Sequence, residues 1–278
     1  MTATAAPTSL VGLALLAALA TAPAHADDTY FSPTDEHVRV SLGAVRVSNA
    51  TTIRADSSAG VPGTTINGER EFGLDAADFE PKFQAMVRVA KRQRLSFDYF
   101  TLDRSGSTTL PSTGTPILFR DVALQPGDPL RTKLSLRSLG ITYGYSFWHS
   151  ETLEIAGTFG VHVTDVSAEA RVQTPTRHVI QATDEAGPIP TLGIDATWVV
   201  SRRFYVDGRA QYLKVNLSRL NGTLGIYELD VLYRYRPNVS FAVGYTDFTA
   251  NVMSTKGSKA GLFDFSAKGP EMFFRVSF

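Results

Sequence analysis

His149, Ser150 and Glu151 stand in a row, and a base, a nucleophile and an acid are the three group types of acyl transfer. Neighbours in a strand or turn point apart, whereas a catalytic triad is defined by convergence in space, so the three residues read as a turn. A second candidate is His162 with Asp195 or Glu154, an acid/base pair if their strands bring them to one face. The plainer role for such a histidine is membership of a hydrogen-bond network. Asp75, Asp78, Asp184 and Glu185 are of the type used in carboxylate-dependent peptide hydrolysis, yet no histidine stands in a clear partnering position. The sequence contains no HExxH, no glycine-rich phosphate loop and no EF-hand spacing. Cysteine is absent, which removes disulfides and thiolate metal sites. The expectation is a protein that is not an enzyme, with no catalytic residues, metal or cofactor.

The elements that carry these residues show one pattern. From Leu153 to Thr164 the odd positions are mostly apolar and the even ones small or polar, and Gly225–Tyr235 and Val239–Thr246 repeat it. Phe83–Val89, Leu95–Tyr99, Leu139–Phe147, Pro190–Val200 and Phe204–Tyr212 do the same. A period of two with Phe, Tyr and Val on one face specifies half-buried β-strands. The connections alternate between short ones (91–93, 148–150, 201–202, 237–238) and longer polar stretches (57–79, 104–129, 167–187, 218–223, 252–261). That is the layout of an all-β, closed antiparallel transmembrane β-barrel with short periplasmic turns and longer outer loops. Counting hairpins gives about ten strands with both termini periplasmic. Eight results if terminal pairs are misassigned, and twelve if 57–79 or 104–129 hides a spanning hairpin. Leu74–Asp78 is expected to form a helical turn in the first long loop.

If the aromatic and branched face meets lipid, the opposite parity lines the lumen. It carries Arg39, Arg88, Asp98, Glu154, His162, Asp195, Asp207, Arg209, Glu228, Asp230, Arg234, Glu271 and Arg275, and no lysine. Carboxylates and guanidinium groups are nearly balanced there, and arginine's planar fork pairs bidentately with carboxylate. A barrel this narrow is filled by its own side chains, so an interlocked salt-bridge network is expected; the alternative is a narrow polar pore lined by the same residues. The apolar parity switches at Arg137-Ser138 and again after Tyr212, which a β-bulge at each place would explain. Aromatic residues near strand ends (Tyr143, Tyr145, Phe147, Trp148, Trp198, Phe204, Tyr205, Tyr233, Tyr235, Phe241, Phe273, Phe274, Phe278) suit an interfacial girdle.

The two ends of the sequence carry address information. Leu10–Ala20 is an apolar run too short to span a bilayer, followed by Ala24-His25-Ala26, which reads as a secretory signal over 1–26 cleaved after Ala26; 27–278 is then the barrel domain. Phe274, Val276 and Phe278 alternate with polar residues in the last strand. This ending resembles the C-terminal strand of bacterial outer-membrane barrels, in which a terminal phenylalanine is part of the signal read by the barrel-assembly machinery. With 27 basic and 27 acidic residues the formal net charge is zero, so the composition offers no case for nucleic acid.

Phe72-Gly73-Leu74-Asp75, Phe97–Ser107 and Ile141–Phe147 resemble a group of largely uncharacterised proteobacterial outer-membrane β-barrel proteins, in the manner of small porin-like and outer-membrane protein A-like barrels. The resemblance implies a place, the Gram-negative outer membrane, and no reaction. The expectation is a monomeric, narrow or plugged barrel that displays extracellular loops. Its partners are outer-membrane lipid, lipopolysaccharide and, during biogenesis, the assembly machinery. A low-conductance channel for small polar solutes is the first alternative and a lipid or peptide hydrolase the second. Arg104, Ser107, Arg120 and Lys256 are loop residues that could contact lipopolysaccharide phosphates, with solubility an equal explanation for them.

Overall fold

A strand with one apolar and one polar face needs a different environment on each side, and a row of such strands leaves two unpaired edges unless the sheet closes. In the computed structural model, which describes residues 32–173, 178–217, 220–254 and 260–278, the sheet closes. The signal segment 1–26 lies outside the described residues. The wall strands are β1 (Val38–Ala55), β3 (Ala77–Ala90), β4 (Gln93–Thr109), β7 (Pro129–His149), β8 (Leu153–Gln173), β9 (His178–Val199), β10 (Phe204–Leu217), β11 (Leu220–Arg236), β12 (Val239–Ser254) and β13 (Gly261–Ser277). Each pairs antiparallel with its neighbour, and β13 returns to β1 from Arg39↔Ser277 to Ala55↔Gly261. No helix among the described residues is long and apolar enough to cross a membrane.

Three short pieces sit off the wall. β2 (Ile66–Asn67) pairs with β1, α1 (Gly68–Glu71) follows it, and β5 (Ile117–Phe119) with β6 (Val122–Leu124) forms a separate two-stranded hairpin. The hairpin hidden in 104–129 is therefore no spanning pair, and the wall count stays at ten. Two expectations are corrected. The helical turn falls on Gly68–Glu71, where Asn67 caps it through its side chain, and Ala77-Asp78 open β3. Much of the long polar stretches is strand: β4 runs to Thr109, β8 to Gln173, and β9 starts at His178.

The reason those stretches read as loops is that both faces of the wall invert part-way along. On β7, Leu139 and Ile141 are 49% and 48% exposed on the outside, with Tyr143, Tyr145 and Phe147 following. Toward the loop end the outward residues become Arg131, Lys133, Ser135 and Arg137, while Leu130, Leu134 and Leu136 are buried inside. The bulge expected at Arg137-Ser138 is absent: the ladders to β4 and β8 pass through both residues without a shift. Tyr212–Leu213 likewise pairs in register with β11. Parity holds; the solvent changes. Leu139–Phe147 matches the roughly 9–11 tilted residues that cross a bilayer, and beyond it the wall stands in water, where greasy-in and polar-out is the stable arrangement. The register shifts that do occur lie near the short turns, at Arg88/Ala90, Ser146/Trp148 and Arg234/Arg236.

The inverted half is built as two packed leaves. β3 and β4 pair only from Lys82↔Phe100 toward the short turns, and β9 and β10 only from Leu192↔Tyr212. Pro81, Pro188 and Pro190, which have no N–H to donate, stand where these ladders stop. Leu102 and Leu136 from one leaf meet Val45, Val47, Leu224, Ile226, Phe248 and Phe265 from the other. Above them Ile53, Ile66, Phe72, Leu110, Phe119, Leu124, Leu130 and Leu134 form a second apolar cluster that includes the off-wall pieces. The girdle loses two members: Tyr205 (1% exposed) and Phe273 (7%) face inward, in a small cluster with Val199, Leu232 and Ala242. Outside the band, the Asp121 carboxyl is held below the ordinary aspartate range by hydrogen bonds from the backbone N–H and then the hydroxyl of Ser58, tying the β5–β6 turn to the loop after β1.

The unbroken parity predicts opposite outcomes for two leucines three positions apart. Leu136→Ala removes a packed core side chain and is expected to cost about 2–5 kcal/mol in reversible unfolding. Leu139→Ala touches only the outer surface and is expected to cost well under half as much. A bulge between them would put both leucines on the same face and equalise the two losses.

Candidate functional site

The lumen below the apolar clusters is lined by one parity of every strand, and the pleat aims those side chains at a common axis. All thirteen charged residues assigned to the lumen by parity point inward: nine are at most 9% exposed, and the side chains of the other four belong to the same network of contacts. What joins them is a set of tiers, each crossing the barrel between strands far apart in sequence.

At the short-turn mouth, residues 32–36 fold back into the lumen ahead of β1. The Glu36 carboxylate accepts from Arg39 Nε at 2.6 Å, Ser277 Oγ at 2.8 Å and Arg234 Nη2 at 3.4 Å. Arg88 donates to the carbonyls of Thr34 and Glu36 at 2.7 and 3.1 Å. One tier inward, Glu154 is completely buried. Arg88 grips it with both Nη atoms at 2.8 and 2.9 Å, Ser146 Oγ donates at 2.5 Å and Arg94 Nη1 lies 3.1 Å away. Arg275 donates to Asp207 and, at 3.0 Å, to Ser41 Oγ. In the next tier Arg209 lies between Asp98, Asp195 and Glu228, at 3.7, 3.5 and 3.8 Å. Lys82 Nζ bridges Glu228 at 2.8 Å and Glu271 at 2.6 Å, and Gln84 donates to Glu228 at 3.0 Å. Asp230 is buried beside this group. A polar cavity of about 70 Å³ lies between the tiers, bordered by Arg39, Arg94, Arg209, Arg275, Asp207 and Glu228 among others. It has room for a few water molecules.

Several assignments are corrected. Lys82 breaks the expectation of a lysine-free lumen, and it shares parity with Gln84 and Arg88, so the pattern carried the signal. Arg94 shares parity with Asp98 and was equally legible. Glu36 precedes the first strand, and periodicity could not find it. The histidine pairs differently from expectation: His162 faces Asp98 (Nδ1–Oδ2 3.5 Å) and Gln211 (Nε2–Oε1 3.1 Å), while Arg94 links Glu154 and Asp195. Gly140, opposite both Asp98 and His162, is needed there because a Cβ would collide with the carboxylate and the imidazole. Arg104 is no loop contact for phosphates. It is 3% exposed and paired with Glu69 at 2.8 Å and Thr51 Oγ1 at 2.7 Å, also donating to the Asp75 carbonyl, so it fastens α1 to the wall. Lys256 lies outside the described residues.

The row His149-Ser150-Glu151 does not form a triad. Ser150 Oγ donates to the Leu153 carbonyl at 3.0 Å and accepts from the Leu153 N–H at 3.1 Å, which is turn geometry. His149 instead turns into the lumen, with Nε2 3.1 Å from Asp35 and Nδ1 3.4 Å from Glu154. No group of three or more metal-ligating side chains occurs among the described residues.

No protein-family model matches the sequence, and no curated protein sequence matches it. Solved structures do match. The outer membrane protease OmpT from Escherichia coli superposes with a TM-score of 0.55 at 10% identity, covering 91% of this chain and all of that one. Ail of Yersinia pestis (TM-score 0.36, 7% identity, 87% of this chain and 98% of that chain) and the toluene transporter TodX of Pseudomonas putida (0.33, 7%, 87% and 89%) are also similar. What is shared is the fold. The likeness to OmpT, at 10% identity, extends to architecture alone.

Lys82 is the cation on which two buried carboxylates depend. Lys82→Met leaves Glu228 and Glu271 without it, and the expected loss is about 3–5 kcal/mol, the range for breaking a buried ion pair from one side. Urea unfolding of the refolded barrel measures it. A loss below about 1 kcal/mol would mean that water already screens this tier.

Proposed function

We propose that this chain is an integral outer-membrane barrel with a closed lumen, acting as a structural or interaction protein through its loop end, without catalytic activity and without conductance. In this reading residues 1–26 are an export signal, the short turns face the periplasm, and the cap built from α1, β5 and β6 faces outward. Outer-membrane lipid, lipopolysaccharide and the assembly machinery are its partners, and it is a monomer of the uncharacterised proteobacterial barrel type that its sequence resembles.

The observation that carries the reading is the filling of the lumen along its length. Residues 32–36 occupy one mouth, interlocked ion pairs the middle, and two apolar clusters the other half. A hydrated ion needs a continuous polar path, and the apolar clusters interrupt it.

Planar-bilayer recording after refolding, with heat-modifiable gel mobility as the check of folding, is expected to show a silent barrel, and Arg209→Ala is expected to be silent too. Reproducible steps that change with Arg209→Ala would replace this reading with that of a low-conductance channel for small polar solutes.

A further inference from the structure

The lumen is closed at two places by different physics. At the loop end the closure is apolar: Leu102, Leu136, Leu224, Phe248 and Phe265 pack across the barrel, and opening it would expose their apolar surface to water. At the short-turn end the closure is Ser32–Glu36, which belongs to no strand and to none of the three apolar clusters. It is held by Arg39 to the Pro33 carbonyl, by Arg88 to two carbonyls, by Ser32 Oγ to the Glu151 carbonyl at 2.7 Å, by the Asp35–His149 contact and by Glu36. Water can replace each of these bonds at a mouth that borders solvent, which is why a hydrogen bond contributes little net free energy.

Arg39 of β1 links this segment to the polar cavity. Arg39 binds Glu36 through Nε and also lines the cavity, 3.9 Å from Asp207. Ser96 of β4 lines the same cavity and is 6% exposed. Withdrawal of the segment would expose arginines and carboxylates, which hydrate readily, and would leave the apolar closure intact.

We propose that Ser32–Glu36 is a displaceable plug whose release opens the polar cavity to the short-turn side as a dead-end vestibule for water and small hydrophilic solutes. The inference rests on the closed-barrel reading, since a vestibule is distinguished from a pore by the shut loop end.

The chain has no cysteine, so Ser96→Cys places one reporter thiol in the cavity. The full chain, refolded into vesicles, is treated with a small cationic methanethiosulfonate reagent. The rate is expected to be slow with the native plug and at least tenfold faster when Glu36→Ala is added. Glu36 also ties β1 to β11 and β13, so deletion of residues 32–35 with Glu36 retained is the second variant. It is expected to give the same acceleration with the seam intact. Equal rates in the plugged chain and in a correctly folded deletion variant would overturn the plug. Both unplugged variants are expected to remain silent in a planar bilayer; steady conductance from either would overturn the vestibule and, separately, the closed loop end.

Discussion

The pleat of a β-strand fixes which residues share a face, and nothing along a regular strand can change that assignment without a bulge. Everything else in this barrel follows from holding that parity while the surroundings change. Within the bilayer band the outward set must be apolar, so Leu139, Ile141, Tyr143, Val243, Tyr245 and Met272 point out and the inward set is free to be charged. Beyond the band the outward set meets water, and the same inward positions become Leu136, Leu134, Phe265 and Val45. One uninterrupted strand thus serves two membrane-protein rules in succession, the second being the ordinary rule of soluble proteins.

The two halves consequently hold their walls together in different ways. In the band, ion pairs tie strands that are remote in sequence: Arg88 of β3 to Glu154 of β8, Lys82 of β3 to Glu228 of β11 and Glu271 of β13, and Arg275 of β13 to Asp207 of β10. Such pairs offset a desolvation cost with geometry, and they discriminate strongly between the correct register and a shifted one, because a slip of one residue would aim every charge at lipid. In the outer half, where the β3–β4 and β9–β10 ladders end, the two leaves are joined by apolar contact across the interior, as two sheets of a sandwich are. The prolines at 81, 188 and 190 are compatible with this because strand edges tolerate a missing N–H.

Closure of the barrel draws on the segment before β1 as well. His37 and Val38 donate to the Phe278 carbonyl, Phe278 donates back to Val38, and Glu36 binds Ser277 and Arg234. The first and last strands are therefore joined both by their ladder and by a polar clasp inside the mouth. The aromatic side chain of Phe278 is left exposed on the outer face, as expected for a residue at the edge of a lipid band.

The sequence by itself determined the antiparallel strands and the inward parity of the charged residues, because a period of two is local and each strand carries its own record of it, while the choice of ten wall strands over eight or twelve came from the pairing. Lys82 and Arg94 were legible by the same rule from Gln84, Arg88 and Asp98. Only the tertiary structure decided the rest. Leu134 and Leu136 read as a broken pattern until it was known which solvent lay outside them, and solvent is a property of height along the barrel that no residue encodes alone. The partner of His162 turned out to be Asp98 on β4, since register across non-neighbouring strands decides which lumen charges meet. Arg104 looked like a loop charge until α1 brought Glu69 over it. Ser32–Glu36 has no periodicity to read, and its place in the mouth follows from the arginines of three different strands converging on it.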